Sequence, residues 1–344
     1  MKTQIVYTLI SSEKDYFLEE LWVSLFSLRI FHPEATVKVL VDEATEGYMR
    51  KFPKLCDMIT EIVVVPVPKE YNAKQRSREI KTTVRNVIKD AYLFIDTDTV
   101  ICKPLDGIDE LTCNIAAVPD GHLPLSECMF PPTKGVEQMF GISLSGARFW
   151  FNSGVMYVAD NERTREFYKK WHESWKFSCF EKGNSQDQPA LLATDQQFGY
   201  VIDELPGIYN AQVAMSLKYF ADAAILHWWH MSFIENQDYS PYFSLQIYRE
   251  VKEAGGITPH VEGLIRNCKQ SFVSPTMPVG KEHIYFLFSP AGKIFNRIYR
   301  EGGVASFLMN KVANWLDNFV EKSPKALVIS IKKHIFAKSI AKDI

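Results

Sequence analysis

The sequence predicts a parallel, Rossmann-like α/β sheet flanked by helices, followed by a helical C-terminal appendage. Three observations predict it. Short apolar runs alternate with helical apolar spacings through the first third of the chain, one of those runs (Ala91 to Ile95) stops at Asp96 and Asp98, and basic residues gather near the C-terminal end. Strand, helix, strand repeated in this order packs as a parallel sheet with right-handed crossovers.

The elements follow in order. Gln4 to Ile10 reads as a strand, Glu13 to Phe31 as a helix with Phe17, Leu21, Leu25 and Leu28 on one face, and Thr36 to Val41 as a strand ending at Asp42. A short helix near Thr45 to Arg50 leads to a third strand, Thr60 to Val65, closed by the prolines of P-V-P. Residues 74 to 89 form a basic helix, and the strand before Asp96 comes next. Asn114 to Pro119 is a further strand, the loop from His122 to Gly146 is long, and Phe149 to Val158 is a strand interrupted by Asn152, Ser153 and Gly154. A glycine inside a strand permits close approach of a ligand or another backbone. Glu162 to Trp175 and the stretch opened by Gln186 are helical, with Pro189 acceptable in a first turn. Tyr200 to Leu205 and Ala223 to Trp228 are the remaining strand candidates, and residues 236–280 are turn-rich.

Composition narrows the function. Of 344 residues, 47% are hydrophobic and 23% charged, and a net charge of −2 gives no global reason to expect a nucleic-acid partner. The charge is uneven: residues 1–280 carry 28 basic and 36 acidic side chains, whereas 281–344 carry 11 and 5. Six cysteines without a C-x-x-C pair read as reduced thiols, the start of the chain runs directly into a strand, and no N-x-S/T acceptor occurs. The expectation is a cytoplasmic protein. No G-x-G-x-x-G follows the first strand, which disfavours a dinucleotide site.

The acidic pair carries the chemistry. At ~5 Å and an effective dielectric of ~20, two ionised carboxylates repel by roughly 3 kcal/mol. No lysine or arginine interrupts the run before Lys103, so a divalent cation is the economical way to neutralise them. Hard oxygen ligands select Mg²⁺ or Mn²⁺ and leave positions open for phosphate oxygens. The alternative for a bare D-x-D is a solvated turn after a strand.

Further motifs fall in sequence behind it. Strand-D-T-D is followed by A-A-V-P-D, F-N-S-G-V, D-Q-P-A-L-L, L-P-x-x-Y-N (Leu205 to Asn210) and I-L-H. In order and spacing, over residues 3 to 230, this resembles the family 8 sugar-nucleotide glycosyltransferases, the group that includes glycogenin and bacterial lipooligosaccharide galactosyltransferases. The resemblance implies a GT-A-like fold, a Rossmann-like mixed sheet between helices, and a metal-dependent enzyme that moves a hexose from a nucleotide-diphosphate sugar, UDP-linked in this family, to a glycan or lipid-linked acceptor with retention. It assigns Mn²⁺ (or Mg²⁺) to Asp96, Asp98 and His227. It places Lys81, Asp120, Asn152 and Ser153 around the donor, Asp187 and Gln188 at the reaction centre, and Thr8 and Tyr16 at the base, Tyr16 by stacking. The family's Gly and Lys after the histidine are replaced here by Trp228-Trp229-His230-Met231, so His230 is the candidate substitute in the diphosphate clamp.

Each residue has a plainer reading. His227 could be a core histidine, Asp187 a helix cap, Asn152 a strand-edge residue and Lys81 a surface lysine beside Lys74, Arg76, Arg78 and Arg85. Two other functions compete: a haloacid-dehalogenase-like phosphatase with Asp96 as nucleophile, which lacks its later acidic pair because neither D-D nor G-D occurs, and a silent sugar-nucleotide-binding relative. The expected division is a catalytic domain over 1–235, a turn-rich connection over 236–280 and a basic amphipathic helical region over 281–344. That last region would either rest on the inner face of an anionic membrane near a lipid-linked acceptor or cover the catalytic core.

Overall fold

The computed structural model describes residues 1–128, 131–213, 216–228, 245–270, 289–301 and 303–322. A seven-stranded mixed sheet organises the first compact unit, Met1–Thr276. It is built from β1 (Gln4–Leu9), β2 (Val37–Val41), β3 (Glu61–Val64), β4 (Tyr92–Ile95), β6 (Ile115–Pro119), β7 (Phe151–Val158) and β8 (Ile202–Glu204), in spatial order β3-β2-β1-β4-β7-β6-β8. β1, β2, β3 and β4 pair in parallel, as the alternating pattern requires, whereas β7 runs antiparallel to both β4 and β6. A second, three-stranded sheet joins β5 (Thr99–Ile101), β10 (Ile225–His227) and β9 (Ala211–Gln212).

Successive side chains of a strand point to opposite faces, and each face here has its own core. Ile5, Tyr7, Leu93 and Ile95 face a cluster that includes Leu18, Leu21, Trp22 and Leu25 of α1 (Phe17–Phe31). Val6, Tyr92 and Phe94 face the other, which includes Ile80 and Val84 of α4 (Ala73–Val87), Phe167, Trp171 and Trp175 of α6 (Glu162–Phe180), and Ala190 and Leu191 of α7 (Gln188–Gln197). The short helices α2 (Glu43–Met49) and α3 (Pro53–Cys56) connect β2 to β3, and α5 (Thr133–Phe140) lies within the long loop before β7.

Strand β7 is continuous across Asn152-Ser153-Gly154. The irregularity appears in its pairing, where the β6 register shifts between Ala117 and Val118. Such a bulge re-aims side chains next to a site.

The described part of the expected turn-rich stretch, residues 245–270, holds helices. These are α8 (Leu245–Ala254) and α9 (Pro259–Arg266), whose Ile247, Tyr248, Val251, Val261 and Ile265 are buried in the same core as α1. Their apolar faces hold them in the first unit, which therefore extends past residue 235 to Thr276. The Sγ atoms of Cys102, just after β5, and Cys268, just after α9, lie 3.0 Å apart. The second unit, Met277–Ile344, contains α10 (Pro290–Glu301) and α11 (Gly303–Lys322). No helix among the described residues is long and apolar enough to cross a membrane.

One buried acid in α1 makes stability depend on pH. Glu19 is fully buried, and burial is the main cause that pushes its carboxyl up to about 7, with Lys252 at 3.9 Å opposing and Asp15 and Glu20 adding to the rise. An acid whose folded pKa is raised favours folding while protonated, so its contribution is present near pH 4.5 and is lost as pH rises through 7. Glu19→Gln is therefore expected to raise stability at pH 8 by about 1–2 kcal/mol, allowing for solvent screening at the helix end, and to match the wild type near pH 4.5. Urea midpoints at both pH values measure this; an equal gain at both would assign it to packing.

Candidate active site

The D-T-D turn is fixed by its own backbone. Asp96 N–H donates to the Gly154 carbonyl at 2.7 Å, and the Thr99 hydroxyl donates to the Asp96 carbonyl at 2.9 Å. Immediately afterwards β5 pairs antiparallel with β10, in a register that sets Thr99 opposite His227. That pairing carries the imidazole to the acidic pair. Donor atoms of Asp96, Asp98 and His227 all lie within 4.8 Å of one another, an arrangement able to hold a metal ion.

Hydrogen bonds settle the imidazole's tautomer. Asp120 Oδ1 accepts from Asn152 Nδ2 at 2.9 Å, Asn152 Oδ1 accepts from Asn210 Nδ2 at 2.9 Å, and Asn210 Oδ1 is then the acceptor left for His227 Nδ1–H, also at 2.9 Å. This orientation makes Nε2 the lone-pair nitrogen, 3.2 Å from Asp98 Oδ1. A ligand histidine is oriented in this way, with its second nitrogen donating to an acceptor behind it. Gly154 completes the cradle. A Cβ there would collide with the His227 ring and would come within 2.9 Å of Asn152 Oδ1 and 3.0 Å of Asp96 Oδ2. The donor set, its tautomer and the space kept at Gly154 all fit a hard divalent cation.

Cations line the opposite wall. α4 opens with a capping box between Asn72 and Gln75, and its inward face carries Lys81, which is 3% exposed. A lysine this deep needs partners. Its Nζ lies 3.0 Å from both Asp96 oxygens and 3.7 Å from Asp187 Oδ2, so it is an internal counter-ion and no surface lysine. Arg78, one helical turn earlier, places Nε 2.8 Å from Asp187 Oδ1.

Asp187 precedes α7 without capping it. Its carboxylate takes the Ser153 hydroxyl at 2.6 Å together with the two cations, while its carbonyl accepts from Trp171 Nε1. Burial works to raise its pKa, but the Arg78 and Lys81 charges and the Ser153 hydrogen bond override it and hold the carboxyl well below the usual range. Asp96 moves the other way. Burial pushes it up, and Lys81 opposes. Asp120 is also raised by burial, against hydrogen bonds from Asn152 and Gln188. Gln188 Nε2 lies 3.4 Å from Asp120 Oδ1 and 3.1 Å from the Phe151 carbonyl.

The residues named from sequence thus divide. Lys81, Asp96, Asp98, Asp120, Asn152, Ser153, Asp187, Gln188 and His227 form one connected polar network. Thr8 sits on β1, half-buried opposite Leu40 of β2. Tyr16 precedes α1, its ring covered by Lys252 Nζ at 4.8 Å from the centroid and its hydroxyl 3.4 Å from Arg249 Nε. His230 lies outside the described residues. Arg78 and Asn210 belong to the network and carry no assigned role in the sequence reading. The signal for Arg78 was its i, i+3 spacing from Lys81 on one helix face.

A mixed, helix-flanked sheet with an acidic strand end beside a histidine agrees with the GT-A-like α/β fold, and the solved structures it resembles carry that assignment. No protein-family model matches the sequence, and no curated protein matches it. Solved structures do. The apo bifunctional glycosyltransferase WbbM aligns with a TM-score of 0.51 at 13% identity, over 76% of this chain and 51% of that one, so the chain spans about half of WbbM's length. Galactosyltransferase LgtC, solved with donor and acceptor sugar analogues, aligns at 0.45 and 15% identity over 81% and 98% of the two chains. GlyE of Streptococcus pneumoniae TIGR4 aligns at 0.45 and 14% identity over 81% and 68%. These neighbours are glycosyltransferases, and the similarity with WbbM shows that the fold is shared.

Proposed function

We propose that the chain is a metal-dependent glycosyltransferase that moves a hexose from a nucleotide-diphosphate sugar, a UDP-hexose by family resemblance, with retention of configuration. The observation that supports it most is the convergence of Asp96, Asp98 and His227 Nε2 within 4.8 Å, in a fold shared with glycosyltransferases.

Asp96, Asp98 and His227 would hold Mn²⁺ or Mg²⁺, which when bound supplies Lewis-acid stabilisation to a departing diphosphate. The protein's own groups do the rest. Lys81 and Arg78 keep Asp187 ionised beside Ser153, so this carboxylate is ready to accept a hydrogen bond from a donor-sugar hydroxyl or to face positive charge at the anomeric carbon. Asp120, Asn152 and Gln188 form a fixed row of donors and acceptors for the ring hydroxyls. The acceptor hydroxyl approaches on the face the leaving group occupies, and the leaving phosphate takes its proton.

A panel of nucleotide sugars tested by thermal shift with and without Mn²⁺ checks this reading. One UDP-hexose is expected to raise Tm by several degrees with Mn²⁺ and to lose the effect in EDTA. A panel without any metal-dependent shift would remove the donor site.

The acceptor is a glycan or lipid-linked saccharide in this reading, and α11 offers a surface for the latter. Val304, Phe307, Leu308 and Val312 recur at helical spacing and are 75%, 58%, 56% and 50% exposed. With the basic excess of 281–344, that stripe suits an anionic membrane interface. Phe307→Ser with Leu308→Ser is expected to lower sedimentation with anionic vesicles by about tenfold or more. Unchanged sedimentation would remove the membrane contact.

A further inference from the structure

A second cavity borders the strand end that carries Asp120. It encloses about 200 Å³, and His122, Pro119 and Gly207 are among the residues lining it. That is less than the ~300 Å³ at which drug-sized pockets begin, and it suits a single ring. His122 is 5% exposed. Its Nε2 accepts the Gln212 backbone N–H at 3.1 Å, which makes Nδ1 the protonated nitrogen. That Nδ1–H is buried with no hydrogen-bond partner among the described residues. Burial, and secondarily Lys218, pushes the imidazole down to about 4, so it is neutral at pH 7. A buried donor without an acceptor is costly unless something supplies one.

The rim says what would supply it. Arg148 and Lys218 line the opening, and each rests on an aromatic neighbour, Arg148 at 4.6 Å from the Phe149 ring centroid and Lys218 at 5.2 Å from that of Tyr219. Both are exposed, and among the described residues neither forms an ion pair. Among the described residues that line it, Glu204 is the one acid. Tyr219 packs edge-on to His122 at 4.8 Å and lies against Gly207, which has no Cβ to hold it away. Two cations held on rings, aromatic edges and a waiting N–H donor together match a sugar ring that carries a negative substituent. Among the described lining residues Glu204 opposes that charge.

We propose that this cavity binds a saccharide bearing a carboxylate or phosphate, with Arg148 and Lys218 on the anionic group and His122 Nδ1–H donating to a ring oxygen or hydroxyl. Its role as the charged acceptor unit rests on the transferase reading; the binding itself does not. The probes are methyl β-D-glucuronide, glucose 6-phosphate and methyl β-D-glucoside, titrated by calorimetry and by the His122 imidazole resonances in labelled full-length protein. Saturable binding of one or both anionic sugars is expected, with a shift of the Nδ1–H signal, and the stronger of the two identifies the substituent. Arg148→Gln with Lys218→Gln is expected to weaken it by about tenfold or more. Glu204→Gln is expected to tighten it roughly two- to threefold, which misfolding would not produce. Equal affinity for the neutral glucoside, no binding of either anionic sugar, or an unmoved His122 signal would each overturn the proposal. Mn²⁺ with UDP, titrated on the same samples, reports separately on the transferase reading.

Discussion

If the chain is the metal-dependent transferase proposed above, Asp96→Ala is expected to abolish Mn²⁺-dependent transfer and donor hydrolysis, with turnover falling by about a thousandfold or more. The substitution removes one of the three groups able to hold the ion. It also leaves the Lys81 ammonium, now 3.0 Å from both Asp96 oxygens, with Asp187 at 3.7 Å as its remaining ion-pair partner among the described residues. A buried cation stripped of its nearer partner costs several kcal/mol in general, so Asp96→Asn, which keeps volume and hydrogen bonding, separates lost charge from lost shape. Both variants are expected to fail in turnover and to melt earlier, Asp96→Ala the more because it also loses volume and the acceptor oxygens that face Lys81. Substantial residual activity in either, measured with Mn²⁺ present, would take the metal out of the mechanism.

The second large effect comes from adding a single methyl group. Gly154→Ala would drive a Cβ into the His227 ring and to within 3.0 Å of Asp96 Oδ2 and 2.9 Å of Asn152 Oδ1. None of these can step aside freely. His227 is held through Asn210 and Asn152 to Asp120, and Asp96 by Lys81 and the Gly154 carbonyl. Close-packed surroundings resist such insertions at about 1–3 kcal/mol, and disturbing the groups that orient a ligand typically costs ~10–100-fold in metal affinity. Gly47→Ala is the control, because a Cβ at Gly47 meets nothing within 4 Å and the position lies in α2. Mn²⁺ titration and melting of both variants test the idea. Wild-type metal affinity in Gly154→Ala would mean that the histidine and Asp96 are not confined there.

Much of the fold was legible because strands and helices leave period-2 and period-3.6 marks in an unaligned sequence. The runs that became β1, β2, β3, β4 and β6 were bounded to within a residue or two, since each is an apolar stretch closed by Asp, Pro or a turn. Helices α8 and α9 were missed. Their short amphipathic faces sit among turn residues, and packing in the core shared with α1 helps to hold them, beside the Thr258 cap of α9. Asp187 was ambiguous for a different reason. Its place at the start of α7 fits a cap, and only Arg78, Lys81 and Ser153, brought from α4 and β7, show that its carboxylate serves the network instead.

Sequence alone determined the alternation of elements, the acidic pair at the end of a buried strand, and the chain positions of most polar groups that meet there. These are local properties, written in hydrophobic spacing and in residues that stop a strand. The tertiary structure decided the antiparallel insertion of β7, the β5–β10 pairing that delivers His227, the tautomer set through Asn210, and the balance of burial against neighbouring cations that raises Asp96 and lowers Asp187. Each depends on contacts between segments far apart in the chain, and on the dielectric those contacts create, which no local pattern encodes.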